Sequence, residues 1–201
     1  MAQIHGLTFN TEQHRYAAQG RDVPGVTMIL HDLGFYPPYP MDPYYRARGA
    51  AVHSCTELID QGMLAIADNR EGQTRYPGTD ERLWGYLDGW REFRAATMWV
   101  IRAVEERISH DGLWYAGTLD RRFISSASNI IADIKTGSAE EFVRYQLAGY
   151  ALGCGDLKAR RVVIELPGDG RYHLRDDFSC PQDIDDWATI AKFWHLQKRR
   201  S

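Results

Sequence analysis

The sequence predicts an α/β fold: one domain in which a central mixed sheet is flanked by helices, with a hairpin and helical additions toward the N-terminal end. Three observations carry that prediction. Three strand-like segments follow one another between Val100 and Ile134, a helical segment stands on either side of them, and a further strand-like segment, Arg161–Leu166, follows the second helix. A length of 201 residues suits a single domain, residues 1–201, better than two.

The elements follow in order. Residues 7–30 alternate apolar and polar positions about Gly20 and read as a hairpin leading into Val26–Leu30. The stretch Phe35–Pro43 holds four of the eight prolines, which excludes it from helix interiors and central strands. It reads as a loop packed by its aromatic rings. Good helix formers from Pro43 to about Ala67, with Val52, Leu58, Ile59 and Leu64 as a partial stripe, predict a helix. After a second loop at Gly72–Gly78, Asp80 stands where an N-cap belongs before Leu83, Trp84, Leu87, Trp90 and Phe93, so another helix runs to about Ala96.

Val100–Val104, Leu113–Leu119 and Ile130–Ile134 then read as a three-strand meander, with Asp120 ending the middle strand. Glu140–Gly153 reads as a helix with Phe142, Tyr145, Leu147, Ala148 and Leu152 on its apolar side and Gly153 or Gly155 as its stop. Arg161–Leu166 is a strand, Pro167–Gly170 its turn and Tyr172–Leu174 the return strand. Asp183 or Asp185 can cap a last helix that turns Trp187, Ile190, Ala191, Trp194 and Leu196 inward.

Composition narrows the function. With 24 Lys+Arg against 27 Asp+Glu the formal net charge is −3, so no whole-protein basic field advertises nucleic acid and any such role must come from a local site. No run approaches the ~20 consecutive apolar residues a membrane helix requires, and the opening Met1–Gly6 lacks a basic segment followed by an apolar one. The expectation is a soluble, cytoplasmic protein with no membrane partner. Cys55, Cys154 and Cys180 are odd in number and without a C-x-x-C pair, against a disulfide framework or a zinc module.

Charges in apolar strands need an explanation, which singles out Asp120, Asp133 and Lys135. The strand period of two places Asp133 and Lys135 on one face and Ile134 on the other. If the two strands pair as a hairpin, Asp120 can approach Asp133, and carboxylates side by side repel unless a cation such as Mg²⁺ or Mn²⁺ lies between them. The plainer alternative is a rim salt bridge between Asp133 and Lys135 with Asp120 as a turn residue. Gln146 and Tyr150 fall on one face of the following helix. His53 is a lone helical histidine, a type more often structural than a ligand.

Taken together, Gly49-x-x-x-His53, Gly117-Thr118-Leu119-Asp120, Asp133-Ile134-Lys135-Thr136-Gly137 and Gln146-x-x-x-Tyr150 resemble the RecB-like branch of the PD-(D/E)XK nuclease superfamily. The early Val23–Leu30 segment is similar to one near the start of phage-type members, with Gly25 where serine is more usual. The resemblance covers about residues 20–175 and implies a restriction-endonuclease-like core. It implies Asp120 and Asp133 as metal-binding carboxylates, His53 as a further ligand with the backbone carbonyl of Ile134, Lys135 as the catalytic lysine, and Gln146 and Tyr150 as residues that orient Lys135, a water or DNA. Glu105 is the better match for an additional acidic residue and Glu106 the alternative, since strand alternation lets only one face the site.

The implied activity is a Mg²⁺-dependent DNA exonuclease, with Mn²⁺ as substitute ion. Its substrate would be linear DNA with free ends, and a single-strand annealing or recombination protein would be its partner. For a phage-encoded chain the location would be the host cytoplasm. Three scattered cysteines cannot hold the four-cysteine iron–sulfur cluster of some relatives. Arg121, Arg122, Arg144 and Tyr150 are candidate DNA contacts, and tyrosines of the proline-rich segment, Tyr36 and Tyr39 among them, could stack on bases. Two other readings stand beside this one: a DNA-end-binding module with little cleavage, and a metal hydrolase acting on another substrate.

Overall fold

Short strands come first: β1 (Thr8–Asn10), β2 (Arg15–Ala18) and β3 (Arg21–Val23) form an antiparallel meander in the computed structural model, which describes residues 3–11, 13–36, 42–68 and 74–200. At the β2–β3 turn Gln19 and Gly20 both have positive φ, 52° and 71°, as the tightest hairpin turn requires. The segment into which the hairpin leads is not extended. It is helix α1 (Val26–Asp32), because Val26, Ile29 and Leu30 at helical spacing all reach one core. Extended chain ends one step earlier, where Pro24 O accepts from Ala116 N at 3.0 Å.

Most of the proline-rich segment (residues 37–41, with Tyr39) and Gly72 lie outside the described residues. Helix α2 (Pro43–Asp60) is capped by Asp42, whose side chain accepts from Tyr44 N, and has proline in its first turn. It stops short of the expected Ala67. Gly62 takes φ 69° there, and Met63 N turns back to Leu58 O, so the left-handed glycine closes the helix. A two-residue ladder, β4 (Ala67–Asp68) with β5 (Thr74–Arg75), follows. Asp80 then caps a 3₁₀ turn that continues as α3 (Trp84–Thr97).

The main sheet is built from β6 (Val100–His110), β7 (Tyr115–Ile124), β8 (Asn129–Lys135), β9 (Arg160–Glu165) and β10 (His173–Arg175), in the order β10-β9-β8-β7-β6. Strands β8 and β9 run parallel and the other neighbours antiparallel, so the sheet is mixed. The parallel step is crossed by α4 (Val143–Cys154), stopped by Gly155 at φ 75°. Helix α5 (Gln182–Lys198) closes the described chain.

Helices α1, α4 and α5 cover one sheet face around Leu147, Trp187 and Trp194, while α2 and α3 cover the other around Val52, Trp90 and Phe93. Three expectations change. Asp120 lies inside β7, which runs on to Ile124, because both neighbouring strands pair beyond it. Neither Asp183 nor Asp185 caps α5; Asp183 is buried beside Arg161 and Arg144 instead, 3.6 and 3.9 Å away. Leu196 is 45% exposed, one face round from the buried Trp187–Ala191–Trp194 stripe. No described helix is long and apolar enough to cross a membrane.

Candidate metal centre

Strand alternation along β7 breaks at Asp120. Leu119 packs with α4 and α5, whereas Arg121 lies over Trp90 and Phe123 packs in the α2–α3 cluster. Opposite this break stands Glu105 on β6, a non-glycine residue at φ 47° that interrupts the ladder between Val104↔Arg121 and Glu106↔Leu119 without shifting its register. The β7–β8 ladder also ends here, at Arg121↔Ala132. Beyond it the Asp120 carboxylate substitutes for a backbone partner, Oδ2 accepting from Ile134 N at 2.6 Å.

That leaves Asp120 Oδ1 free to face His53, whose Nδ1 is 3.6 Å from it and 3.9 Å from Glu105 Oε1. The opposite ring nitrogen, Nε2, lies 3.0 Å from Ile134 O. A carbonyl only accepts, so Nε2 carries the hydrogen and a neutral ring would aim the Nδ1 lone pair at two carboxylates. The arrangement therefore requires a positive species beside Nδ1, either a proton or a metal ion. Burial disfavours the imidazolium, but Asp120 and Glu105, with Asp133 behind, raise the His53 pKa from 6.5 to about 9. His53, Glu105 and Asp120 offer ligand atoms within 4.8 Å of one another. Ligands about 2.1 Å from one octahedral ion stand roughly 3.0–4.2 Å apart, and both His53 separations fall within that range. The residues fit a metal ion.

Asp133 lies outside that set, buried on β8. Its Oδ2 is 2.8 Å from Lys135 Nζ and its Oδ1 accepts from Gln146 Nε2 at 2.8 Å. The predicted shared face of Asp133 and Lys135 is thus realised. Burial works against the Lys135 ammonium, but Asp133 and Asp120 outweigh it and hold its pKa above the ordinary value. Gln146 Nε2 also donates to the Tyr150 hydroxyl at 3.0 Å, while Gln146 Oε1 is buried with no hydrogen bond among the described residues. Burial pushes the Tyr150 pKa well up, so the phenol keeps its hydrogen. Gly117 is explained by the same tyrosine: a Cβ there would stand 2.8 Å from the Tyr150 ring.

A cleft of about 530 Å³ opens onto the centre, with Tyr16, Val26, His53, Glu105, Asp120 and Tyr150 in its walls. Of the two candidate glutamates, Glu105 faces the centre and Glu106 is bound to Arg122, with both carboxylate oxygens 3.0 Å from Nη1. Tyr36 packs against Phe142.

Arg121 is corrected as a DNA contact. It is fully buried, held by Asp60 at 2.7 Å, Thr56 at 3.1 Å and Glu105 at 3.3 Å, and no phosphate can reach it. Arg122 and Arg144 are ion-paired, with Glu106 and Glu141 respectively, and neither lines the cleft.

Sequence reasoning missed Asp60 and Tyr16. The signal for the first was readable: His53, Thr56 and Asp60 form an i, i+3, i+7 polar stripe on α2. Tyr16, whose hydroxyl is 2.7 Å from Thr118 Oγ1, carried no local signal because its contact is made across the fold. Comparison with known proteins adds no relative: no family model matches the chain and no curated protein matches it.

Proposed function

We propose that the chain is a metal-dependent deoxyribonuclease of the RecB-like PD-(D/E)XK type, with a restriction-endonuclease-like core, hydrolysing phosphodiester bonds of linear DNA from its ends. One observation carries this reading. A metal-competent His53–Glu105–Asp120 group stands beside Asp120's strand neighbour Asp133, which is ion-paired with Lys135 at 2.8 Å.

A divalent ion held by His53, Glu105 and Asp120 would supply charge stabilisation for phosphate oxygens and acidify a water. The chain's own groups do the rest. Lys135, fixed by Asp133, presents ammonium hydrogens to a water or a phosphate oxygen. Gln146 locks Asp133 and offers its unpaired Oε1 as a further acceptor for a water. Tyr150 retains a hydrogen to donate. Asp133 Oδ2, whose partner is Lys135, completes a proton path from water to carboxylate.

The test is incubation of purified protein with 5′- and 3′-labelled single- and double-stranded linear DNA and a closed circle, in Mg²⁺, with Asp120→Ala as control. EDTA-sensitive loss of linear substrate that Asp120→Ala lacks is expected. No loss in Mg²⁺ or Mn²⁺ would overturn the reading, and binding without cleavage would make the chain a DNA-end-binding module.

A further inference from the structure

We infer that the groove at the start of β7 is a second binding subsite, one that holds the phosphate backbone of a nucleic-acid strand. Its volume is about 630 Å³, and Arg21, Trp114, Lys192, His195, Leu196 and Arg199 line it without a single carboxylate. Arg21, Lys192 and Arg199 are exposed and make no ion pair with a described residue. Like charges lining one groove without an acidic partner repel one another, a cost that a bound polyanion removes.

The spread of the charges sets the class of ligand. Lys192 and Arg199 are seven residues apart at the end of α5, about 10 Å along the helix axis. One phosphate cannot span that distance, whereas successive phosphates of a strand can. Among the cations stands a fixed aromatic ring. Trp114 has φ 48°, a strained backbone for a bulky residue. It is held by Nε1 donating to Asp22 O at 3.2 Å and by His195 Nε2, 2.9 and 3.1 Å from the carbonyls of Leu113 and Trp114. Arg21 lies over the indole at 4.2 Å. Cations around a rigid ring are what a strand of phosphates and bases requires.

The groove is built into the same wall as the metal centre. The N-terminal meander contributes Arg21 to the groove and Phe9 and Tyr16 to the cleft. From Trp114 to Asp120 is six residues of chain, about 20 Å at about 3.3 Å per residue. The choice of nucleic acid over another polyanion rests on the nuclease reading.

The experiment is fluorescence anisotropy with labelled single-stranded and duplex oligonucleotides, in EDTA so that nothing is cut, across a salt series. The combined variant Arg21→Ala, Lys192→Ala, Arg199→Ala should bind at least about tenfold more weakly, with a log–log salt slope shallower by about 2. Unchanged affinity and slope would overturn the subsite, and so would an equal loss in an Arg102→Ala, Arg171→Ala control. Weak binding by the triple variant of a protein that never cuts DNA would keep the subsite and remove the nuclease reading. Normal binding by the triple variant of a protein that does cut would do the reverse.

Discussion

Asp120 uses its two oxygens differently. One takes the backbone hydrogen of Ile134 and so pins β7 to β8; the other faces His53. Replacing Asp120 or Asp133 by asparagine keeps the volume and removes the charge, so each variant should lose cleavage while keeping fold and DNA binding. Digestion beside anisotropy checks this, and undiminished turnover in either would show that the centre is misplaced. Lys135 and His53 should separate under metal titration. His53→Ala removes a ligand and should be partly rescued by Mn²⁺, which accepts nitrogen ligands more readily than Mg²⁺, whereas Lys135→Ala should stay inactive at every concentration. Equal rescue of both would contradict the division of roles. Arg121 belongs to stability: Arg121→Met removes the closest partner of buried Asp60, leaving it Arg94 at 3.6 Å and Trp90 Nε1 at 3.2 Å, and should cost up to about 3–5 kcal/mol in urea unfolding. Its DNA-binding salt slope should stay that of the wild type.

Elements meet in two contrasting ways. Helix α3 touches the turn after β9 backbone to backbone: a Cβ at Gly85 would stand in contact with the Gly168 carbonyl, and one at Gly89 would do the same at Arg171. Helices α1 and α5 share an apolar core and add polar contacts at its edge. Asp32 accepts from Trp194 Nε1 at 2.9 Å and pairs with Lys198 at 3.0 Å. Partial burial pushes the Asp32 pKa up, but Trp194 and Lys198 outweigh it and hold the carboxyl below its ordinary value. A depressed carboxylate contributes stability that is present above its unfolded pKa of about 3.9 and is lost as pH falls through the folded value. Asp32→Asn should therefore be less stable than wild type by about 0.5–1 kcal/mol at neutral pH, as exposed pairs typically are. The gap should narrow as pH falls below the unfolded value and close once the folded carboxyl is protonated. Urea midpoints across an acid pH series decide it, and a gap undiminished through the series would show that the lost charge is not the cause.

At the scale of the whole molecule, His53 comes from α2, Glu105 from β6 and Asp120 from β7. An ion shared by all three ties together a helix and two strands that meet only in the folded state, so its binding is linked to folding. At an ion concentration about 100-fold above the dissociation constant the linkage is worth about 2.7 kcal/mol, or roughly 5–10 °C in Tm for a chain of this size. Thermal melting in Mg²⁺ or Mn²⁺ should show that rise, EDTA should reverse it, and Asp120→Asn should abolish most of it. A wild-type Tm indifferent to both ions would remove the metal centre from the molecule.

What local order can encode was readable in the amino-acid sequence. The strand period of two puts Asp133 with Lys135, one helical turn puts Gln146 with Tyr150, Asp80 caps its turn, and Gly155 ends α4. Each depends on residues within a few positions of one another, where backbone geometry alone fixes who faces whom. Tertiary structure decided the rest. Glu105 rather than Glu106 faces His53 because a left-handed residue in β6 meets a break of alternation in β7. Arg121, a surface cation by composition, is buried because that same break turns it onto Asp60. Gly85 and Gly89 are needed because the backbone of a turn more than eighty residues away lies against them. In each case the deciding atom belongs to another segment of the chain, so no local period records it.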